Sequence, residues 1–301
     1  EMLRSLVGSE MCIRDSSIRV TSDKTQNKIA HLTMKENTAQ HPDLGEALKS
    51  HVHDYWNANP CGTQFTEIER GSRAFYDEVE RFRYETQPFM EKLCKFNAFK
   101  GKTLLEIGCG LGTDLLQFAR HGAIVTGVDL TEESVALAKK RFELYGVQGT
   151  FCTADAENLP FADNSFDVVY SFGVLHHTPN TQKAIDEIYR VVKHGGEIVI
   201  MLYHKHSLHV WLGVPLYFLY GLSKGKLWGY EEWVRIYDGK DNPLGKAYSR
   251  AELRRMFAKF KDVRFQTCDT IRRRFPEWLN ALNQKWFASW AGFYIMIYAT
   301  K

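Results

Sequence analysis

Net charge is nearly absent from this 301-residue chain: 39 lysines and arginines face 36 aspartates and glutamates, leaving +3 with histidine neutral. Such a balance gives no case for a nucleic-acid partner, which calls for a concentrated basic surface. No apolar run is long enough to span a bilayer. The longest, Leu208–Leu222, is interrupted by Gly213, Pro215 and Gly221 and falls short of the roughly 20 residues a spanning helix needs. Cysteine is sparse, six in all, with no C-x-x-C pair. Neither a disulfide framework nor a zinc ribbon is indicated, and reduced thiols of a cytoplasmic chain are expected. No signal peptide is visible and nothing repeats internally. Residues 6–16, LVGSEMCIRDS, resemble a translated sequencing adapter and lack helical or strand periodicity, so residues 1–45 are set aside as a tail outside the fold.

What the chain does contain is a cluster of glycines. Residues 104–112 read LLEIGCGLG, an apolar run followed by Glu106-x-Gly108-x-Gly110-x-Gly112. This predicts a buried strand that breaks into a tight turn and then a helix. Glycine is required where the backbone takes angles closed to a side chain, and where a ligand lies directly on the main chain. A second apolar run, IVTGVD, ends at Asp129, placed to accept hydrogen bonds from ribose hydroxyls. Together these predict a nucleoside cofactor. A dinucleotide fingerprint G-x-G-x-x-G counted from Gly108 wants glycine where Thr113 stands. Glu106 also sits where a dinucleotide's phosphates would pass, and a carboxylate repels phosphate but welcomes an ammonium group.

Further blocks follow in order: VDLT at Val128–Thr131, ADAENLPF at Ala154–Phe161, FDVVYSFGVLHH at Phe166–His177 and EIYRVVKHGG at Glu187–Gly196. With the glycine turn, these five blocks cover about a third of the chain and resemble the class I S-adenosylmethionine-dependent methyltransferases, in the branch that acts mostly on small molecules. The resemblance implies S-adenosylmethionine as cofactor, bound by Glu106, Gly108, Cys109, Gly110, Gly112, Asp129, Leu130, Asp155, Ala156, Glu157 and Phe172. It implies a doubly wound α/β fold: a seven-stranded Rossmann-like sheet with an antiparallel last strand, an N-terminal helical cap and aromatic helical insertions.

Strands are expected at Thr103–Ile107, Ile124–Val128, Thr150–Cys152, Asp167–Ser171 and Glu197–Leu202, short and apolar as parallel strands covered on both faces should be. Thr131 reads as a helix N-cap and Gly195-Gly196 as the turn into the fifth strand. The cap then spans 46–100, the cofactor core 101–203, a lid insertion 204–250, and a final segment 251–301. That segment holds a helix capped by Ser249 and running to Phe260, strands six and seven at Val263–Thr267 and Phe293–Ala299, and between them an aromatic helix, Glu277–Trp290. Trp278, Leu279, Leu282, Trp286 and Trp290 mark one face of it.

The end of strand four separates substrate classes. Methyltransferases acting on exocyclic amines carry Asn/Asp-Pro-Pro-Tyr/Phe there, and cytosine-C5 enzymes carry a Pro-Cys nucleophile; Ser171–His177 is neither, and Pro60-Cys61 lies upstream of the core. A small-molecule acceptor is therefore expected, with no nucleic acid. His176 and His177 are candidate catalytic bases, since histidine titrates near working pH. Tyr55, Tyr76, Arg83, Tyr84, Tyr203 and His204 are candidate acceptor-pocket residues. His204, His206 and His209 have poor metal-ligand spacing, so no metal is expected. Residues 208–222 read as a pocket lid, with an interfacial membrane helix as the alternative. Three readings of function stay open: methyl transfer to a small molecule through an oxygen, sulfur or carbon nucleophile, the same reaction on a lipid or quinone-like acceptor at a membrane surface, and a non-catalytic cofactor-binding scaffold. A nicotinamide oxidoreductase conflicts with Glu106 and the glycine spacing. The sequence leaves oligomeric state open.

Overall fold

The computed structural model describes residues 42–223, 225, 229–268 and 288–301. Before the core come α1 (Pro42–Ala58), α2 (Arg73–Thr86) and a short α3 (Met90–Leu93). The core then alternates β1 (Thr103–Ile107), α4 (Thr113–Arg120), β2 (Ile124–Asp129), α5 (Glu132–Tyr145), β3 (Thr150–Thr153), β4 (Phe166–Phe172), α6 (Thr181–Val191) and β5 (Val192–His204). The insertion supplies α7 (Leu208–Ser223), α8 (Tyr230–Arg235) and β6 (Ala247–Tyr248), followed by α9 (Arg250–Met256), β7 (Lys261–Cys268), α10 (Ala288–Ala291) and β8 (Tyr294–Thr300). The sheet order is β3-β2-β1-β4-β5-β8-β7, with β6 added beside β5. The pairs from β3 to β5 are parallel, and β8 runs antiparallel to both β5 and β7.

Successive strand residues face opposite sides of the sheet, and two apolar cores result. Leu104, Val168, Tyr170, Val199, Met201 and Tyr203 pack on one face; Leu105, Ile107, Val169, Ile198, Ile200 and Leu202 pack on the other. Glu106 shares the parity of Leu104, so a carboxylate enters the first core. Local chemistry fixes the helices. Asn180 accepts the Lys183 N–H to start α6, and Gly146 (φ 65°) closes α5 in the left-handed region. Ser249 forms a full capping box with Glu252.

Four expectations are revised. A two-residue strand, β6, joins the seven, pairing Tyr203 with Ala247 and His204 with Tyr248; two residues carry no periodicity to read. Gly195-Gly196 lies inside β5 rather than before it, because the ladder jumps from Phe166↔Val192 to Val168↔Glu197 and absorbs the extra residues. The Ser249-capped helix stops at Met256, with Phe257 as C-cap. α1 begins at Pro42, ahead of the boundary drawn at 45. Trp278, Leu279, Leu282 and Trp286 of the expected aromatic helix, like residues 1–41, lie outside the described residues. In the lid, α7 contains Pro215 and packs on α8 so closely that a Cβ on Gly213 would meet Trp233 Cζ2 at 2.1 Å.

Candidate active site

β1 has β2 on one side and β4 on the other. Chains leaving two neighbouring strands in opposite directions open a crevice at their carboxyl ends. A cavity lies there, lined by Glu106–Leu111, Asp129–Thr131, Ala154–Ala156 and Phe172–Val174, and walled by residues of the cap and lid.

The glycine turn is built as its sequence requires. Gly108, Gly110 and Gly112 have φ of 74°, 49° and 69°, angles that favour glycine. A Cβ at Gly108 would also lie 2.2 Å from Val174 Cγ2. The N–H groups of Gly108 and Cys109 donate to the Val128 carbonyl at 2.7 and 2.9 Å, tying the turn to the end of β2. Gly110 N–H donates to Asp129 Oδ2 at 3.0 Å. Asp129 Oδ1 accepts the Thr131 N–H and hydroxyl at 3.0 and 2.9 Å. Burial raises the Asp129 carboxyl above its ordinary range, and these hydrogen bonds oppose the rise.

Glu106 is 4% exposed, and its Oε2 has no hydrogen-bond partner. Burial, then the charge of Asp114, pushes its carboxyl well above the usual range, with Arg83 pulling the other way. A buried carboxylate oxygen left unpaired in a cavity wall is costly. An ammonium group arriving there removes that cost, so the residues fit the amino-acid end of S-adenosylmethionine. Asp155 Oδ1 accepts the Glu157 N–H at 2.8 Å, while its Oδ2 lies 2.8 Å from Lys49 Nζ of α1.

Other walls come from outside the core. Arg83 of α2 forks onto both oxygens of Asp114 at 2.8 and 2.6 Å and lies over the Phe172 ring at 5.1 Å. Tyr203 and Tyr294 line the aromatic end with Phe172. The Tyr203 hydroxyl donates to Asp238 Oδ1 at 2.6 Å, and His177 Nε2 is 3.3 Å from Asp238 Oδ2. His177 Nδ1 makes a short contact with the Leu244 carbonyl.

Of the residues expected at the site, Glu106, Gly108, Cys109, Gly110, Asp129, Leu130, Asp155, Ala156, Phe172, Arg83, His177 and Tyr203 line the cavity. Seven stand elsewhere. Gly112 faces Ala138 and Phe142, where a Cβ would sit 3.3 Å from each, so it serves helix packing. Glu157 Oε1 accepts the Asn180 N–H at 2.7 Å. Tyr76 donates to the Leu137 carbonyl at 2.7 Å, Tyr84 to Asp114 Oδ1 at 3.0 Å, and Tyr55 to the Asp238 carbonyl at 3.3 Å. His204 lies against the Gly292 carbonyl at 3.1 Å, and burial lowers its pKa to about 4. His176 is fully buried, its ring tilted against Tyr203 at 3.9 Å between ring centres. The sequence reading missed Lys49, Asp114, Asp238 and Tyr294. Asp114 was legible as the acidic residue in the first turn of α4; the other three are brought in by segments far from any motif.

The family model described as a methyltransferase domain matches residues 105–200. Over 98 residues the chain is 42% identical to a phthiotriol/phenolphthiotriol dimycocerosates methyltransferase of Mycobacterium tuberculosis, covering 32% of this chain and 36% of that protein. It is 36% identical over 98 residues to a sterol 4-C-methyltransferase of Caenorhabditis elegans, covering 32% and 29%. The match thus spans about a third of the length of these curated relatives. Among solved structures, a SAM-dependent methyltransferase of Methanosarcina mazei shares the fold with a TM-score of 0.51 at 20% identity, covering 69% of this chain and 96% of that one. The YcgJ protein of Bacillus subtilis does so with a TM-score of 0.50 at 21% identity, covering 71% and 98%. The glycine turn, the buried glutamate and the matched segment agree: this chain carries a class I S-adenosylmethionine-dependent methyltransferase domain, with S-adenosylmethionine as its cofactor.

Proposed function

We propose that the chain transfers the methyl group of S-adenosylmethionine by direct displacement to a small-molecule acceptor with a largely apolar body. The carrying observation is that one cavity joins the Glu106–Asp129–Asp155 wall to the aromatic wall of Phe172, Tyr203 and Tyr294. Bound S-adenosylmethionine supplies an electrophilic methyl group on a sulfonium. The chain supplies position and charge. Glu106 holds the ammonium, Asp129 accepts from the ribose hydroxyls, and Asp155, Leu130 and Ala156 flank the adenine. Cys109 and Gly110 present backbone without bulk. Glu157 and Gly112 act one step back, by fixing the strand-three loop and the helix. Of the two histidines, His177 reaches the cavity, so the polar edge that holds the nucleophilic atom falls to it, with Asp238 and Tyr203. Aligning nucleophile, carbon and sulfur supplies much of the rate in such a displacement. His204, Tyr76, Tyr84 and Tyr55 support the walls from behind.

The test uses methyl-labelled S-adenosylmethionine, purified protein and a bacterial small-molecule extract in a sealed vial. Label in the organic phase supports an apolar acceptor. Label in the aqueous phase alone overturns that acceptor class, and label in the headspace indicates a small thiol. No transfer, with S-adenosylhomocysteine still protecting against thermal unfolding, favours the scaffold reading. Protection by a dinucleotide but not by S-adenosylhomocysteine defeats the methyltransferase reading itself.

A second reading, collection of the acceptor from a membrane surface, is favoured by α7. Trp211, Leu212, Leu216 and Leu219 are exposed on it, Trp211 at 65% and Leu219 at 61%. An apolar helical stripe of this kind suits burial at a lipid interface. Two of the relatives above are named for sterol and dimycocerosate acceptors. Among the described residues no helix is long and apolar enough to cross a membrane.

A further inference from the structure

The geometry points to a binding site for a divalent transition-metal cation at His176, His177 and Asp238, and we propose that it takes zinc or a zinc-like ion. One ligand atom from each residue lies within 4.8 Å of the others, and all three residues are buried. Their hydrogen bonding is incomplete in a way that a cation completes. Both ring nitrogens of His176 lack a partner although the residue is fully buried, and so does Asp238 Oδ2. His177 turns Nδ1 to the Leu244 carbonyl, which can only accept, so the proton sits on Nδ1. Its Nε2 then presents a lone pair to Asp238 Oδ2 at 3.3 Å. Two acceptors face each other there, with the unpartnered imidazole of His176 beside them, at 4.3 Å between the histidine ring centres. A shared proton resolves the His177–Asp238 contact but leaves His176 unpaired. One cation satisfies His177 Nε2, Asp238 Oδ2 and one ring nitrogen of His176 together.

The supports around these groups are those of a ligand set. A metal-bound imidazole commonly donates its other N–H to a backbone carbonyl, and a metal-bound carboxylate is itself hydrogen-bonded. His177 has the first in Leu244, and Asp238 has the second in the Tyr203 hydroxyl at 2.6 Å. Two imidazoles and one carboxylate form a known set for zinc with one open position. Ligands at zinc distances stand about 3.4 Å apart in a tetrahedron. The His177–Asp238 pair already matches that spacing, and the wider separations close with movements on the order of 1 Å. Lys246 is the nearby positive group, and its ammonium turns to the Thr178 and Pro179 carbonyls at 2.9 and 2.7 Å. His177 and Asp238 line the cavity, so a cation held by them stands within reach of an acceptor oxygen or sulfur there. The expectation of no metal rested on His204, His206 and His209; the convergent residues are others, one of them from the lid.

The test uses the full, tag-free chain, stripped with a chelator and titrated with Co²⁺. One bound ion per chain is expected, with the visible d–d absorption of a low-coordinate site, displaced by Zn²⁺. His176→Gln and Asp238→Asn should each weaken Co²⁺ binding at least about 100-fold, and Tyr203→Phe about tenfold. Thermal protection by S-adenosylhomocysteine, read on the same samples, reports that each variant is folded. No absorption band on the wild-type chain, with that protection intact, overturns the metal site while leaving the methyltransferase reading standing. Binding undiminished in His176→Gln overturns it equally. Should a ligand variant not fold, stoichiometry on the wild type and the Tyr203→Phe shift still decide.

Discussion

Gly108 and Glu106 set the terms at the residue scale, because each does something no substitute does. Gly108 has φ of 74° and Val174 against it, so Gly108→Ala meets backbone strain and overlap together. It should cost about 1–3 kcal/mol of stability and abolish thermal protection by S-adenosylhomocysteine, which differential scanning fluorimetry reads directly. Glu106 makes binding depend on pH. Its carboxyl is raised well above the ordinary range, first by burial and then by Asp114, so at low pH it is protonated and offers an ammonium no charge. Affinity should therefore rise as pH rises through that pKa, by up to tenfold per unit, and level off above it. In Glu106→Gln the rise should vanish and affinity at high pH fall by about tenfold or more. Calorimetric titration across pH checks both. These two residues were legible in sequence because their roles follow from local backbone geometry and charge. Asp238 was not. It stands in a single helical turn, Ile236–Asp238, and only the path of the lid brings it to His177.

Among elements, the parallel strands and the helical character of the insertion were legible, and the path by which the insertion returns to the cavity was not. β1 reproduces its expected bounds, because an apolar run between glycines has few alternatives. In the lid the punctuation misleads: α7 runs through Pro215 in its interior, where sequence rules place a break. Its exposed face gives a prediction at this scale. Trp211→Glu with Leu219→Glu alters side chains that are more than half exposed, so thermal stability should move by less than about 0.5 kcal/mol per site. If α7 meets lipid, the double variant should lose sedimentation with anionic vesicles while keeping cofactor binding. Equal sedimentation of wild type and variant removes the membrane reading.

For the whole molecule, two buried histidines lower stability as pH falls. His204 is held neutral by burial, at about 4 against an ordinary value near 6.5, and burial lowers His176 further. A base whose folded pKa is depressed binds fewer protons folded than unfolded between the two values. Its contribution is complete above about pH 6.5 and is lost as pH falls toward 4. Asp167 stays out of that window, since Lys193 and Thr103 hold it at about 2, and its contribution fades only below about pH 4. Glu106 and Asp129, raised by burial, act in the opposite sense over part of that window, so the histidine effect is read as a difference: from pH 6.5 to 4 the melting temperature of the wild type should fall relative to that of His204→Gln.

The segment matched to known methyltransferases ends at residue 200, yet Lys49, Trp56, Arg83, Tyr203, Asp238 and Tyr294 all stand in the cavity wall. About two thirds of the residues lining the cavity belong to the matched segment, and the rest come from around it. Mutation can therefore redraw the acceptor by altering the cap, the lid or β8 while the glycine turn goes on holding the same cofactor. Two chains that agree over the shared segment are alike in what they carry, and free to differ in whom they give it to.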